Sequence, residues 1–155
     1  EQYLALAERI RSEIPDIAIT TDIIVGFPGE TYEDFKETVT LVNEVKFASL
    51  FTFIYSKRKG TPAAEMEDPV TRKEKGIWFN ELLLAQEKVA TENINKFLGK
   101  TFRVLCDDYS QREGYMSGHT SGTAVIEFPA NENLLGQFID VLVEKYDNGF
   151  IGKII

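Results

Sequence analysis

Two hydrophobic periods divide this chain. Up to about residue 98, apolar positions fall either at helical spacing or in short, almost unbroken runs; beyond it they alternate with polar ones. Residues 2–11 carry apolar positions at helical spacing, and the pattern ends near Ile14 and Pro15. No capping residue precedes this helix, so the chain is expected to start inside one. Residues 17–25 read as a strand rich in β-branched side chains, apolar enough to be covered on both faces. Gly26 to Glu30 interrupt it. Thr31 then offers a helix N-cap, with Glu33 and Asp34 in the electropositive first turn. Phe35, Val39 and Val42 form one stripe of that helix, with Leu41 beside it. Residues 48–55 form the second buried strand.

Strand, helix and strand in this order predict a right-handed βαβ crossover. Two strands cannot by themselves make a sheet covered on both faces. Their neighbours are therefore expected before Glu1 or on another copy, which makes the chain a fragment. A long helix is predicted from Thr71 to Leu98: Thr71 and Glu74 have capping-box spacing, and Gly99 is a natural stop. Ile77, Trp78, Leu82, Leu83, Leu84 and Val89 give it a wide apolar face, with Gly76 inside at a cost of about 1 kcal/mol relative to Ala. Alternation then places short strands over 101–106, 114–118, 123–128, 138–144 and 150–154. Five short antiparallel strands in so few residues predict a small closed barrel, because closure removes exposed edges.

Composition narrows the chemistry. The 155 residues contain one cysteine, Cys106, and one histidine, His119. That excludes an internal disulfide, a multi-cysteine metal site and a His-based zinc site within the chain. No apolar run approaches a membrane span, and the N-terminus lacks a signal-peptide pattern, which predicts a soluble, cytoplasmic protein with no membrane partner. The net charge is −8, and from Leu98 onward five basic residues face eight acidic ones, a net of −3. Indiscriminate nucleic-acid binding, which depends on releasing counterions, is thereby excluded. Any RNA contact has to be local and shape-based.

Two blocks carry candidate chemistry: Thr21-Asp22-Ile23-Ile24-Val25-Gly26-Phe27-Pro28-Gly29-Glu30-Thr31, and the stretch from Phe51 through Tyr55, Ser56, Arg58, Gly60 and Thr61 to Met66. Each is a strand ending in a Gly/Pro-punctuated loop, the place where parallel β/α architectures bind ligands. Taken alone, 26–30 is more commonly an ordinary tight turn, and it lacks the GxxxxGK[ST] pattern of a phosphate loop. Asp22, in an apolar strand, reads equally as a satisfied core group or as one aimed at a barrel mouth. Phe53, Ile54 and Tyr55 read first as packing, with Phe51 and Phe53 on one face and Ile54 on the other. Arg58 is either solvated or a grip for a phosphate or carboxylate. Lys57 and Lys59 read as solvated, and Cys106 as a small buried apolar residue.

With these blocks in place, TDIIVGFPGET, FTFIYSxRxGTPAAEM, a long helix with NxxxxGK (Asn93 or Asn95 to Lys100) and a small β-barrel together resemble the C-terminal portion of a radical-SAM methylthiotransferase. The branch most resembled is the tRNA 2-methylthio-N6-dimethylallyladenosine synthase. The ribosomal-protein and threonylcarbamoyladenosine methylthiotransferases are sibling branches. Phe-Ile-Tyr-Ser, rather than Pro before Tyr-Ser, favours the tRNA branch.

The resemblance implies an α/β partial (β/α) barrel segment with a connecting helix over residues 1–98, followed by a small all-β TRAM (OB-like) RNA-binding barrel over 99–155. It implies a parent enzyme using S-adenosylmethionine and two 4Fe–4S clusters to add a methylthio group to carbon 2 of N6-isopentenyladenosine beside the anticodon. Its partners are the tRNA anticodon stem-loop and, in the same parent chain, an upstream barrel and an N-terminal cluster domain. The cluster cysteines are not in this sequence, so the fragment alone is expected to be inactive and to hold neither metal nor cofactor.

The cofactor wall implied by the resemblance comprises Asp22, Gly26, Phe27, Gly29, Glu30, Ile54 and Tyr55. The implied RNA contacts are Ser56, Arg58, Thr61, Arg112, His119 and Lys153, with Tyr109 or Tyr115 available for base stacking. The tail departs from the family pattern: Ser110-Gln111-Arg112 stands where Ser-Lys-Arg is usual, and Ser117-Gly118-His119-Thr120 where Thr-Gly-Arg-Thr is usual. A stand-alone, non-catalytic RNA-binding module is the alternative from another class.

Overall fold

The computed structural model describes residues 1–15, 17–122 and 124–155. The chain forms two compact units, Glu1–Thr91 and Glu92–Ile155.

In the first unit, helix α1 (Gln2–Glu13) leads to strand β1 (Thr20–Val25), helix α2 (Tyr32–Val45) and strand β2 (Ser49–Ile54). A short helix α3 (Pro62–Glu65) precedes the long helix α4 (Arg72–Phe97), whose last residues count with the second unit. β1 and β2 pair in parallel, in register from Thr20 opposite Ser49 to Val25 opposite Ile54. The expected strand over 17–25 thus begins only at Thr20. Capping sets where the helices start. Thr31 and Asp34 exchange hydrogen bonds in a complete capping box at the head of α2. Thr71 and Glu74 do the same before α4.

One face of the sheet is covered. Val25 joins Ala7, Phe35, Val42, Val45, Phe47, Trp78 and Leu82 in the core, with Ile23 and Leu50 packed against it. Phe35 stacks on the Trp78 indole at 5.5 Å between ring centroids. The other face is open: Ile24, Phe51 and Phe53 are 51%, 56% and 55% exposed, and Asp22 is exposed beside them. Within this chain, then, only one of the two faces that the apolar runs prepare for burial is covered. Near-continuous apolar runs signal two faces that could be covered, whereas two strands offer only one helix-backed layer. No partial (β/α) barrel segment is evident in this two-stranded unit itself. Along α4, Trp78, Leu82 and Val89 are buried, but Ile77, Leu83 and Leu84 of the expected apolar face are exposed.

The second unit is a closed barrel of five strands: β3 (Thr101–Tyr109), β4 (Tyr115–Thr120), β5 (Val125–Pro129), β6 (Phe138–Tyr146) and β7 (Phe150–Ile154), in the order β3-β4-β5-β7-β6. The expected start of the third of these at Thr123 lies outside the described residues. Four interfaces are antiparallel and one, β5 with β7, is parallel. This corrects the all-antiparallel expectation. Parity is the reason: an odd number of strands alternating in direction cannot close without one like-directed pair. Val104, Cys106, Met116, Ile126, Phe128, Val141 and Val143 fill the interior. Phe97 closes one side by stacking on Phe102 at 4.7 Å and on Phe150 at 4.5 Å.

Candidate ligand-binding site

The loop after β1 is held by its own residues. The Glu30 carboxylate accepts hydrogen bonds from the backbone N–H groups of Gly26 and Phe27, and the Glu30 N–H donates to the Phe27 carbonyl at 2.9 Å. Thr31 then starts α2, and Pro28 is buried in the turn. Glu30 is thus engaged within the loop. With its N–H taken, a backbone contact from Gly26 to a ligand falls to its carbonyl. Gly26 has φ +73°, and a Cβ there would lie 2.5 Å from Cγ and Cδ of Lys75, so only glycine fits. Gly29, at φ +90°, has open space beside it.

The end of β2 stands next to this loop. The Tyr55 N–H donates to the Val25 carbonyl at 2.8 Å, extending the ladder one residue. The Tyr55 ring meets the half-exposed Phe27 ring edge-on at 5.3 Å. Its hydroxyl is buried without a hydrogen-bond partner among the described residues. Ile54, paired with Val25, turns to the covered side of the sheet, while Asp22, paired with Phe51, sits on the open side. The split between Phe51 and Phe53 on one face and Ile54 on the other is as the alternation predicts. Asp22 also lines a shallow groove along the free edge of β1 with Tyr3, Thr21, Ile24 and Phe47. Gly26, Phe27, Glu30 and Tyr55 are therefore brought together, with Asp22 further back along the strand. Beyond Tyr55, Ser56 and Arg58 are exposed, and Thr61 closes the turn by donating from its N–H and hydroxyl to the Arg58 carbonyl.

Sequence reasoning missed Lys75. It is 3% exposed, and its Nζ lies 2.7 Å from both carboxylate oxygens of Asp68. The same ammonium sits 5.1 Å from the centre of the Tyr55 ring. A signal was available: Lys75, Trp78, Leu82 and Val89 share the i, i+3, i+7 and i+14 positions of one helical stripe. A lysine on a buried stripe demands a partner.

On the barrel, each basic candidate already faces a carboxylate. The His119 Nδ1 lies 2.7 Å from Asp107, and Lys153 donates to Glu144 at 2.7 Å. Arg112 is 3.4 Å from Glu127 and 3.7 Å from Asp147, with its guanidinium over the Tyr115 ring. Tyr109 is 60% exposed. Arg112 lies between β3 and β4, His119 on β4 and Lys153 on β7. Cys106 is fully buried; burial first, then the Asp107 charge, pushes its thiol pKa above the ordinary value. Among the described residues, no group of three or more His, Cys, Asp and Glu side chains could hold a metal ion. No helix among them is long and apolar enough to cross a membrane.

Fold and site together define a class: a β-α-β unit with a glycine-pinned, aromatic-walled strand end, followed in sequence by a closed five-stranded barrel. No protein-family model matches the chain. Curated relatives do. It is 44% identical over 144 residues to the tRNA-2-methylthio-N(6)-dimethylallyladenosine synthase of Acetivibrio thermocellus, covering 92% of this chain and 30% of that protein. The synthase of the same name from Caldicellulosiruptor saccharolyticus is 42% identical over 156 positions, covering 100% and 33%. That from Clostridium tetani is 44% identical over 146 residues, covering 94% and 32%. The chain is thus similar along nearly all of its length to tRNA-2-methylthio-N(6)-dimethylallyladenosine synthases, and spans about a third of the length of these relatives.

Proposed function

We propose that this chain is the C-terminal segment of a cytoplasmic radical-SAM tRNA methylthiotransferase. The parent adds a methylthio group to carbon 2 of N6-isopentenyladenosine next to the anticodon. The observation that carries the reading is 42% identity along the whole of the chain to a synthase named for that product. In this reading the first unit supplies the last strands of a partial (β/α) barrel, and the open face of Ile24, Phe51 and Phe53 is covered by strands contributed upstream. The second unit is a TRAM-like barrel that grips the anticodon stem-loop.

The strand end suits a flat, weakly polar ligand such as the adenine of S-adenosylmethionine. Gly26 offers its backbone carbonyl to the ligand, the Phe27 and Tyr55 rings form a wall, and Glu30 holds the loop shut. Gly29 leaves room beside the turn, while Asp22 and Ile54 flank the site from the two sheet faces. Bound there, S-adenosylmethionine would supply a carbon radical on one-electron reduction by a cluster held elsewhere in the parent, with methionine as the leaving group. The chain's own donors do not suit an iron–sulfur cluster, since its sole cysteine is enclosed in the barrel core. Both 4Fe–4S clusters are accordingly assigned to other parts of the parent, and the segment alone is expected to be inactive.

Ser56, Arg58 and Thr61 would contact RNA from the loop after β2, and Arg112, His119 and Lys153 from the barrel. The barrel contacts require exchange of a carboxylate for a phosphate, which fits weak and salt-sensitive binding. The decisive experiment deletes the gene and measures 2-methylthio-N6-isopentenyladenosine in total tRNA by mass spectrometry. Loss of the nucleoside, restored by the intact gene, is expected; an unchanged level refutes the assignment. Absence of a CxxxCxxC motif upstream in the reading frame would point instead to the stand-alone RNA-binding module.

A further inference from the structure

We infer that Lys75, locked by Asp68, is a positioning residue that holds the two strand-end loops against each other and so sets the shape of the wall formed by Gly26, Phe27 and Tyr55. Only the identity of what this wall binds rests on the function proposed above. A buried ammonium without a partner is costly, so both carboxylate oxygens of Asp68 at 2.7 Å confine the Lys75 head to one place.

From that anchor the side chain acts on both loops. Its methylenes press on Gly26 so closely that a Cβ there would be 2.5 Å from two of them. Its charge lies over the Tyr55 ring at 5.1 Å, a cation–π contact that orients the ring. Tyr55 then meets Phe27 edge-on at 5.3 Å. One side chain from the first turns of α4 thereby touches the loop after β1 and the end of β2. An apolar side chain of equal length would serve the core at least as well, because buried ion pairs replaced by packed hydrophobic groups are often neutral or stabilising. What the ion pair adds is direction.

The test compares K75M and the double variant D68N/K75M in the full-length protein. Three properties are measured: thermal unfolding, amide hydrogen exchange over residues 24–31 and 53–58, and S-adenosylmethionine binding by equilibrium dialysis. K75M is expected to lower Tm, because Asp68, partly buried with 16% of its side chain exposed, is left unpaired. The double variant regains Tm, since that orphaned charge is gone. In both, exchange over 26–30 becomes at least tenfold faster and S-adenosylmethionine affinity falls at least tenfold. If the double variant recovers loop protection and affinity together with Tm, the pair only fills space and the inference is overturned. Unchanged loop exchange overturns it as well. If the wild-type protein binds no S-adenosylmethionine while loop exchange accelerates as expected, the positioning role stands and the ligand assignment fails. Should K75M not fold, the double variant alone decides.

Discussion

Replacing Phe51 and Phe53 by threonine separates what this chain buries from what a longer protein would bury. Both rings lie on the open face of the sheet and are 56% and 55% exposed, so each has withdrawn less than half of its surface from water. Full burial of a phenylalanine contributes roughly 1.5–3 kcal/mol, which leaves about 1 kcal/mol per ring in this segment. Threonine keeps strand propensity, so the backbone term hardly changes. The double variant F51T/F53T should therefore lose about 2 kcal/mol in the segment. Trp78, the sole tryptophan, lies in the core of the first unit and reports its urea unfolding by fluorescence. In the full-length protein, where upstream strands are proposed to cover that face, each ring becomes a core residue and its loss costs about 3–5 kcal/mol, measured by calorimetry. Equally small losses in both proteins would mean that nothing covers the face, and the partial-barrel reading would fall. A loss above about 5 kcal/mol in the segment would contradict the exposure on which the calculation rests.

Three further outcomes are expected. Gly118→Ala would put a Cβ 2.3 Å from the Leu105 carbonyl oxygen across the β3–β4 ladder, and should destabilise the barrel by about 1–3 kcal/mol or more in chemical denaturation. The Asp34 carboxyl is held below its ordinary 3.8 by the Thr31 backbone N–H and then its hydroxyl, and Glu74 below its ordinary 4.5 by the Thr71 hydroxyl and then its N–H. Because the folded values are the depressed ones, this stabilisation is present above the unfolded pKa values and is lost as pH falls through the folded ones. Urea midpoints at pH 7 and pH 3 should differ less in T31A/T71A than in the wild type. Finally, D107N, E127Q, D147N and E144Q together release His119, Arg112 and Lys153 from their carboxylates. Combined, they should tighten binding of an anticodon stem-loop several-fold and steepen its salt dependence in a filter-binding titration; no change in affinity would remove these three residues from the RNA interface.

The features legible in the sequence are those whose cause is local. Thr31 and Thr71 mark helix starts because a hydroxyl three residues before a carboxylate satisfies orphan N–H groups whatever surrounds it. Barrel strands announced themselves because period-two alternation survives wherever one face is buried, and the pattern of Gly, Pro and Glu after β1 specified a rigid turn. Resemblance over both strand-end blocks pointed to the synthases to which the chain is similar.

Tertiary structure decided the rest, because it depends on residues far apart in the chain. Whether a near-continuous apolar strand has one covered face or two is set by its neighbours, and here Ile24, Phe51 and Phe53 face outward. The parallel contact of β5 with β7 comes from closing an odd number of alternating strands. The barrel cations carry paired carboxylates that only folding brings near, Asp107 to His119 and Glu127 to Arg112. Lys75 shows the division most sharply: its stripe position gave notice of a buried charge, but its partner Asp68, the glycine it presses and the ring it covers were assembled by the fold alone.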